Sequence, residues 1–174
     1  MVKESLKAYL DKYFEAYMKN RGSYPKVSYD EDEESSLWFG EMDEEEYIQW
    51  KYQEKIAQTD FSQLEKEFDL ILPDAAKEFY NSYYFLQLEG FYHDESVFLD
   101  NITENRDILQ ELKYIFENES KKYIPLGWYG NMQLSLCMEI DTGKIVAIDY
   151  ENDSVEIIAD SLEKMLDEMN FRRN

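Results

Sequence analysis

A stretch of apolar–polar alternation near the C-terminal end constrains the fold of this chain most strongly. Between residues 132 and 140, apolar side chains occupy every second position, and polar or small side chains stand between them. Successive side chains of a β-strand point to opposite faces, so a period of two predicts a strand with one buried face. Residues 141–144, Asp-Thr-Gly-Lys, form a tight-turn sequence, and residues 145–150 are apolar enough to return as the partner strand. An antiparallel hairpin is therefore predicted here.

Helices are predicted in the first half of the chain. Residues 2–20 carry apolar side chains at spacings of three and four, which is typical of an amphipathic helix. Gly22 follows and is suited to end that helix in a left-handed conformation. A helical pair is predicted within residues 60–84, with Pro73 in the first turn of its second member, where a missing N–H costs nothing.

The rest of the chain combines short strands with two more helices. One helix is predicted to open at Asn101 or Thr103, and a last one covers residues 159–169. Further strands are predicted at residues 84–89, 96–99, 123–128 and 155–158, with Gly90 between the first two. Because helices and hairpins are segregated and no strand–helix–strand unit repeats, we expect an α+β fold with a mainly antiparallel sheet and flanking helices.

Residues 24–58 differ from the rest of the chain in their charge. From residue 30 to residue 46 there are ten acidic residues and no basic one. Two extended segments, at residues 35–39 and 47–51, carry enough apolar side chains to pack in part on the body of the protein. We therefore expect one domain over residues 1–174 with an acidic, hairpin-like arm at about residues 24–58, which we call the acidic arm.

The net charge of the whole chain limits the partners that it can bind. Lys and Arg total 18 and Asp and Glu total 39, which gives a net charge of -21. Residues 1–100 hold 24 of the acids against 10 bases. Such a field repels nucleic acid and anionic membranes and attracts basic protein surfaces. Solubility alone is the alternative explanation for this charge.

The residue types that support catalysis or metal binding are scarce. His93 and Cys137 are the only residues of their kinds, too few for a zinc site, and no glycine-rich phosphate loop is present. Asp30, Asp32 and Glu34 alternate as calcium ligands do, but the glycine that a calcium loop requires is missing. We expect no enzymatic activity and no cofactor or metal, although a hydrolase that uses His93 or a pair of acids stays open.

The sequence also predicts a compartment. A single cysteine excludes an intramolecular disulfide, which fits a reducing environment. The first residues lack the apolar segment of a signal peptide, and no apolar run approaches the ~18–20 residues that span a membrane. We expect a cytoplasmic protein that does not insert into membranes directly.

Several stretches resemble the Syd-like proteins of the SUKH superfamily. Residues 5–17 and 23–25 are similar to the opening of these proteins, and residues 64–84 are similar to their acidic, aromatic helix pair. Residues 141–146 and 158–163 look like the closing hairpin and final helix of the wider superfamily. These core and turn patterns extend over most of the chain, so the resemblance implies a SUKH-like fold.

The resemblance also implies a function. SUKH proteins are similar to one another chiefly as binders: many look like bacterial immunity proteins that neutralise a toxin, and the Syd type is implied to bind cytosolic loops of the SecY translocon. We expect a non-catalytic immunity protein that occludes a basic toxin domain, with a nuclease as the favoured class, and SecY binding as the alternative. The residues that we expect to contact the partner are the acids Asp30, Glu31, Asp32, Glu33, Glu34, Asp43, Glu44, Glu45 and Glu46, and the aromatic anchors Trp38, Tyr47 and Trp50.

Overall fold

A computed structural model of the chain describes residues 1–33 and 35–171. Its helices, in chain order, are α1 (Val2–Arg21), α2 (Ser62–Phe68), α3 (Asp74–Ser82), α4 (Ile108–Asn118) and α5 (Leu162–Glu168). Its strands are β1 (Lys26–Ser28), β2 (Trp38–Phe39), β3 (Tyr47–Trp50), β4 (Gln53–Glu54), β5 (Tyr83–Tyr84), β6 (Leu88–Tyr92), β7 (Glu95–Leu99), β8 (Tyr123–Tyr129), β9 (Leu134–Glu139), β10 (Ile145–Asp149) and β11 (Ser154–Ala159).

The main sheet has six strands in the order β11-β10-β9-β8-β7-β6, and every neighbouring pair is antiparallel. This arrangement confirms the predicted α+β class. The predicted hairpin is β9–β10, in which Leu136 lies opposite Ala147 and Cys137 lies opposite Val146. Leu136 and Ala147 belong to the main core, whereas Cys137 and Val146 form a small apolar cluster with Ile148. The alternation in the sequence therefore separates the two faces of this sheet correctly.

Helix α1 contacts α5 and α3 and reaches the edge of the main sheet through a tyrosine. Gly22 ends the helix with a φ of 68° and donates its N–H to the carbonyl of Met18 at 3.0 Å, as the sequence predicts. The hydroxyl of Tyr9, in the middle of α1, donates to the carbonyl of Glu89 in β6 at 2.7 Å. Gly90 makes this approach possible, because a Cβ there would lie 2.0 Å from the Tyr9 hydroxyl oxygen.

Two local predictions differ from the structure. Gly90 lies inside β6, and the turn to β7 falls instead at His93 and Asp94, both of which have positive φ angles. Helix α4 is capped by Asp107, which accepts a hydrogen bond from the N–H of Gln110 at 3.1 Å, and not by Asn101 or Thr103. The backbone ahead of α4 is held in another way, by a β-bridge that joins Ile102 to Phe85.

Within the residues that the structure describes, every helix is too short or too polar to cross a membrane.

Candidate partner-binding surface

The acidic arm is built on a three-stranded sheet in the order β1-β3-β2, one strand more than the hairpin that the sequence predicts. Strand β3 lies in the centre, and both neighbours are antiparallel to it. Ile48 of β3 pairs with Val27 of β1, and Trp50 of β3 pairs with Trp38 of β2. Alternate side chains of β3 point inward and outward, so Ile48 and Trp50 are buried while Tyr47 and Gln49 are not.

Trp50 is a core residue, which corrects its prediction as a surface anchor. Its side chain has 0% exposure and meets the ring of Phe14 in α1 edge-on, with ring centroids 4.9 Å apart. Leu37, just before β2, is buried in the same core. The sheet of the acidic arm is thus attached to the body of the protein through apolar contacts, and Trp50 is unavailable to a partner.

Trp38 and Tyr47 remain accessible. Trp38 is half-buried and packs against the ring of Tyr29, with centroids 5.2 Å apart. Tyr47 has 41% exposure at the first position of β3. Aromatic side chains that keep an open face can bury large apolar area in a partner at low entropic cost.

The turn from residue 43 to residue 46 carries the larger group of described acids. Asp43 organises it: its carboxylate accepts from the Lys26 ammonium at 2.7 Å, and from the N–H groups of Glu45 at 3.0 Å and Tyr47 at 2.9 Å. The hydrogen bond from Lys26, followed by that from the Tyr47 N–H, lowers the pKa of Asp43 below its ordinary value. Asp43 is therefore a turn-forming residue whose charge is already compensated.

The side chains of Glu44, Glu45 and Glu46 project from this turn and are exposed. Glu46 adopts a left-handed backbone conformation with a φ of 63°, which closes the turn into β3. Within the described part of the chain, these three carboxylates form no ion pair. Their charges are consequently free to act on an approaching partner.

The other acidic segment follows β1. Asp30 accepts a hydrogen bond from the N–H of Asp32 at 3.0 Å, and a short 3-10 helix covers Glu31–Glu33. The side chains of Asp30, Glu31 and Asp32 are exposed, whereas the side chain of Glu33 and the whole of Glu34 lie outside the part of the chain that the structure describes.

The register of β1 against β3 brings the two acidic segments to the same end of the sheet. Ser28 lies opposite Tyr47, and the N–H of Tyr29 donates to the carbonyl of Glu46 at 2.8 Å. Asp30 directly follows Tyr29, so it stands next to the turn that holds Glu44 and Glu46. Seven acids with described side chains, from two separate segments of the sequence, thus gather within one surface, and Lys26 neutralises one of them.

A cleft of about 540 Å³ opens beside this surface. Ser28, Asp32 and Trp38 line it from the arm, and Arg106 lines it from the main body. The Arg106 guanidinium donates to both carboxylate oxygens of Glu111 at 2.8 Å, so its positive charge is compensated within the protein. The cleft therefore gives the acidic surface a concave part. Arg106 does not make the charge of that part positive.

Two contacts that fix the arm were missed by reasoning from the sequence. The Lys26 ammonium holds the acidic turn, and the carboxylate of Glu104 accepts from the N–H of Ser36 at 2.7 Å, which links the arm to the segment before α4. Both are long-range contacts of ordinary charged residues. No local spacing rule distinguishes Lys26 or Glu104 from other surface charges.

The rare reactive residues do not converge on this surface. His93 is exposed in the turn between β6 and β7, where its ring stacks on Tyr92 with centroids 4.0 Å apart. Cys137 is buried in β9, and burial raises the pKa of its thiol to about 12. Among the described residues, no group of three or more His, Cys, Asp or Glu side chains is arranged to hold a metal ion.

Comparison with protein-family models gives a match over residues 3–113 to the family described as Syd protein (SUKH-2). The matched segment covers more than half of the chain. The chain belongs to the Syd (SUKH-2) family. A search of curated proteins found no match.

The Syd (SUKH-2) match contains α1 except its first residue, the whole acidic arm, α2, α3, β5, β6 and β7. It confirms the resemblance inferred from the helix pair and the first residues. Membership in the Syd (SUKH-2) family supports a non-catalytic binding protein that has a protein partner. The acidic arm therefore lies inside the part of the chain that the family model matches.

Proposed function

We propose that this chain is a cytoplasmic immunity protein that neutralises a cognate toxin by occluding its active site. In this proposal, residues 1–174 form one domain, and the acidic arm at about residues 24–58 contacts the toxin. The supporting observation is the β1–β3 register, which gathers exposed carboxylates on both sides of the Tyr29–Glu46 hydrogen bond. The accessible rings of Trp38 and Tyr47 supply apolar contact area next to these charges.

The favoured toxin class is a nuclease, for an electrostatic reason. A nuclease binds the phosphate backbone with Lys and Arg side chains, so its active-site cleft is positively charged. Glu44, Glu45 and Glu46 present carboxylates in the positions that phosphates would otherwise take. Complementary charge accelerates association, and the accessible rings of Trp38 and Tyr47 slow dissociation.

The alternative function is regulation of the SecY translocon through its basic cytosolic loops. The match to the Syd (SUKH-2) family supports this alternative. Both functions use the same acidic surface, and they differ in the partner that it meets.

The experiment that separates them begins with the neighbouring gene. If a toxin reading frame lies directly upstream, its purified toxin domain is assayed on nucleic acid with increasing amounts of this chain. Immunity predicts that cleavage stops at a molar ratio near equivalence. In parallel, membrane vesicles that contain SecY are tested for binding of the same chain. Uninhibited cleavage together with saturable binding to the SecY vesicles would reject immunity in favour of the translocon function.

A further inference from the structure

The two edges of the main sheet are protected to different degrees. Strand β6 forms one edge, and there Phe91 and Asn170 exchange two backbone hydrogen bonds at 2.7 and 2.9 Å. Strand β11 forms the other edge. In the described residues no strand pairs with its outer side, so alternate N–H and C=O groups there face solvent.

The side chains of β11 do not protect this edge. Val155 and Ile157 have 51% and 58% exposure, although both are apolar. They lie opposite Ile148 and Val146 of β10, so they extend the small apolar cluster that these two residues form with Cys137. Residues 154–159 contain no lysine and no proline, which are the residues that commonly block pairing at an exposed edge.

Charge selects the kind of chain that can pair with β11. From residue 149 to residue 160 there are five acids and no base. Glu156 lies in the middle of the strand, between the two exposed apolar residues. A second copy of this chain in antiparallel pairing would bring these acids close to one another, whereas a basic strand would be attracted.

We propose that β11 is a docking edge for an extended segment of a basic protein. The segment adds a strand to the main sheet, places apolar side chains on Val155 and Ile157, and directs basic side chains toward Glu156 and its acidic neighbours. Main-chain hydrogen bonds supply affinity, and the alternation of side chains supplies selectivity. The inference rests on the proposed function only in requiring a basic partner. It concerns the main sheet, not the three-stranded sheet of the acidic arm.

A short synthetic peptide of strictly alternating Lys and Val residues tests the proposal with the full chain. Titration followed by backbone amide NMR is expected to shift the signals of residues 154–158 and to protect part of their N–H groups from exchange. The same peptide with alternate backbone nitrogens methylated keeps its side chains but cannot pair on that edge, and it is expected to bind at least about tenfold more weakly. This comparison leaves the protein unchanged, so it does not depend on the folding of a variant.

Two protein variants locate the site. Ile157→Lys is expected to weaken peptide binding about tenfold. It replaces an apolar side chain on the edge by a positive charge that repels the lysines of the peptide. Ile71→Lys makes the same substitution at an isoleucine with 80% exposure in the link between α2 and α3, and is expected to leave binding unchanged. Lysine at Glu44, Glu45 and Glu46 together is also expected to retain shifts at residues 154–158, which separates β11 from the acidic arm.

Three results would overturn the proposal. The first is that the methylated peptide binds as tightly as the unmethylated one. The second is that the amide shifts centre on the acidic arm and are absent from β11. The third is a dimer, seen by sedimentation, that the Ile157→Lys substitution dissociates. The last result would assign the edge to a second copy. The peptide titration contains neither toxin nor SecY, so a failure of the proposed function leaves its outcome unaffected.

Discussion

Asp43 accepts a hydrogen bond from the Lys26 ammonium at 2.7 Å, and this pair joins the acidic turn to the first strand of the arm. The same carboxylate accepts from the backbone N–H groups of Glu45 and Tyr47. Asp43 thereby holds the turn, and the side chains of Glu44, Glu45 and Glu46 remain exposed on that turn. The geometry of the acidic surface therefore depends on an acid whose own charge is compensated.

Replacing Asp43 by Asn is expected to loosen the turn in a pH-dependent way. The pKa of Asp43 is lowered in the folded protein, first by the hydrogen bond from Lys26, so its stabilising effect is complete above the unfolded-state value near 3.8. That effect is lost as the pH falls through the lower folded-state value. Wild type should therefore have a higher Tm than Asp43→Asn at neutral pH, and this difference in Tm should vanish in acid. A difference in Tm that is the same at neutral and acid pH would contradict this role of Asp43.

Replacing Trp50 by Ala is expected to cost about 3–5 kcal/mol of unfolding free energy, because it empties a fully buried site beside Phe14. Trp38→Ala is the matched control, since Trp38 pairs with Trp50 across the strands but is only half-buried. Urea unfolding followed by far-UV circular dichroism measures both. A Trp50→Ala loss no larger than that of Trp38→Ala would show that the arm is not anchored through this side chain.

Gly90→Ala is expected to destabilise the contact between α1 and the main sheet. The added Cβ would lie 2.0 Å from the Tyr9 hydroxyl oxygen and 3.0 Å from the carbonyl oxygen of Asn170. Overpacking of this kind costs about 1–3 kcal/mol. Removing the hydroxyl first, by Tyr9→Phe, should make the later Gly90→Ala step less costly. Equal costs of Gly90→Ala in the two backgrounds, measured by urea unfolding, would exclude the hydroxyl as the source of strain.

Cys137 is expected to resist thiol reagents in the native protein. Burial raises the pKa of its thiol to about 12 and also blocks access to it. Labelling with a disulfide reagent at mildly alkaline pH should be slow in buffer and fast in urea. Rapid labelling without denaturant would place the thiol at the surface and reopen the question of its reactivity.

Much of the fold was predictable because its signals are local. Gly22 after an amphipathic stretch and the alternation at residues 132–140 each describe one element by its own spacing, and both elements form as predicted. The cap of α4 was misassigned because Asp107, Asn101 and Thr103 are all good capping residues. The bridge of Ile102 to Phe85, which is incompatible with a helix that begins directly after Asn101, joins residues distant in sequence.

The candidate surface was predictable in composition but not in geometry. The acid-rich segments are visible in the sequence, whereas their meeting at one end of the arm depends on the pairing of Ser28 with Tyr47. Strand β1 has three residues, too few to display alternation, so the third strand of the arm went unrecognised. The sequence does not decide the role of Trp50, because a tryptophan in a strand that follows an acidic run suits an interface and a core equally well until the strand register decides its face.

The most direct test of the account is the association rate of the toxin domain with a variant that carries lysine at Glu44, Glu45 and Glu46. The control carries lysine at Glu117, Glu119 and Asp141, which changes the net charge equally at exposed positions outside the arm. Stopped-flow measurements at several salt concentrations are expected to show association slowed by about tenfold or more in the arm variant, with a weaker salt dependence. The control should be slowed less. An unchanged association rate in a correctly folded arm variant would contradict the placement of the interface on the acidic arm.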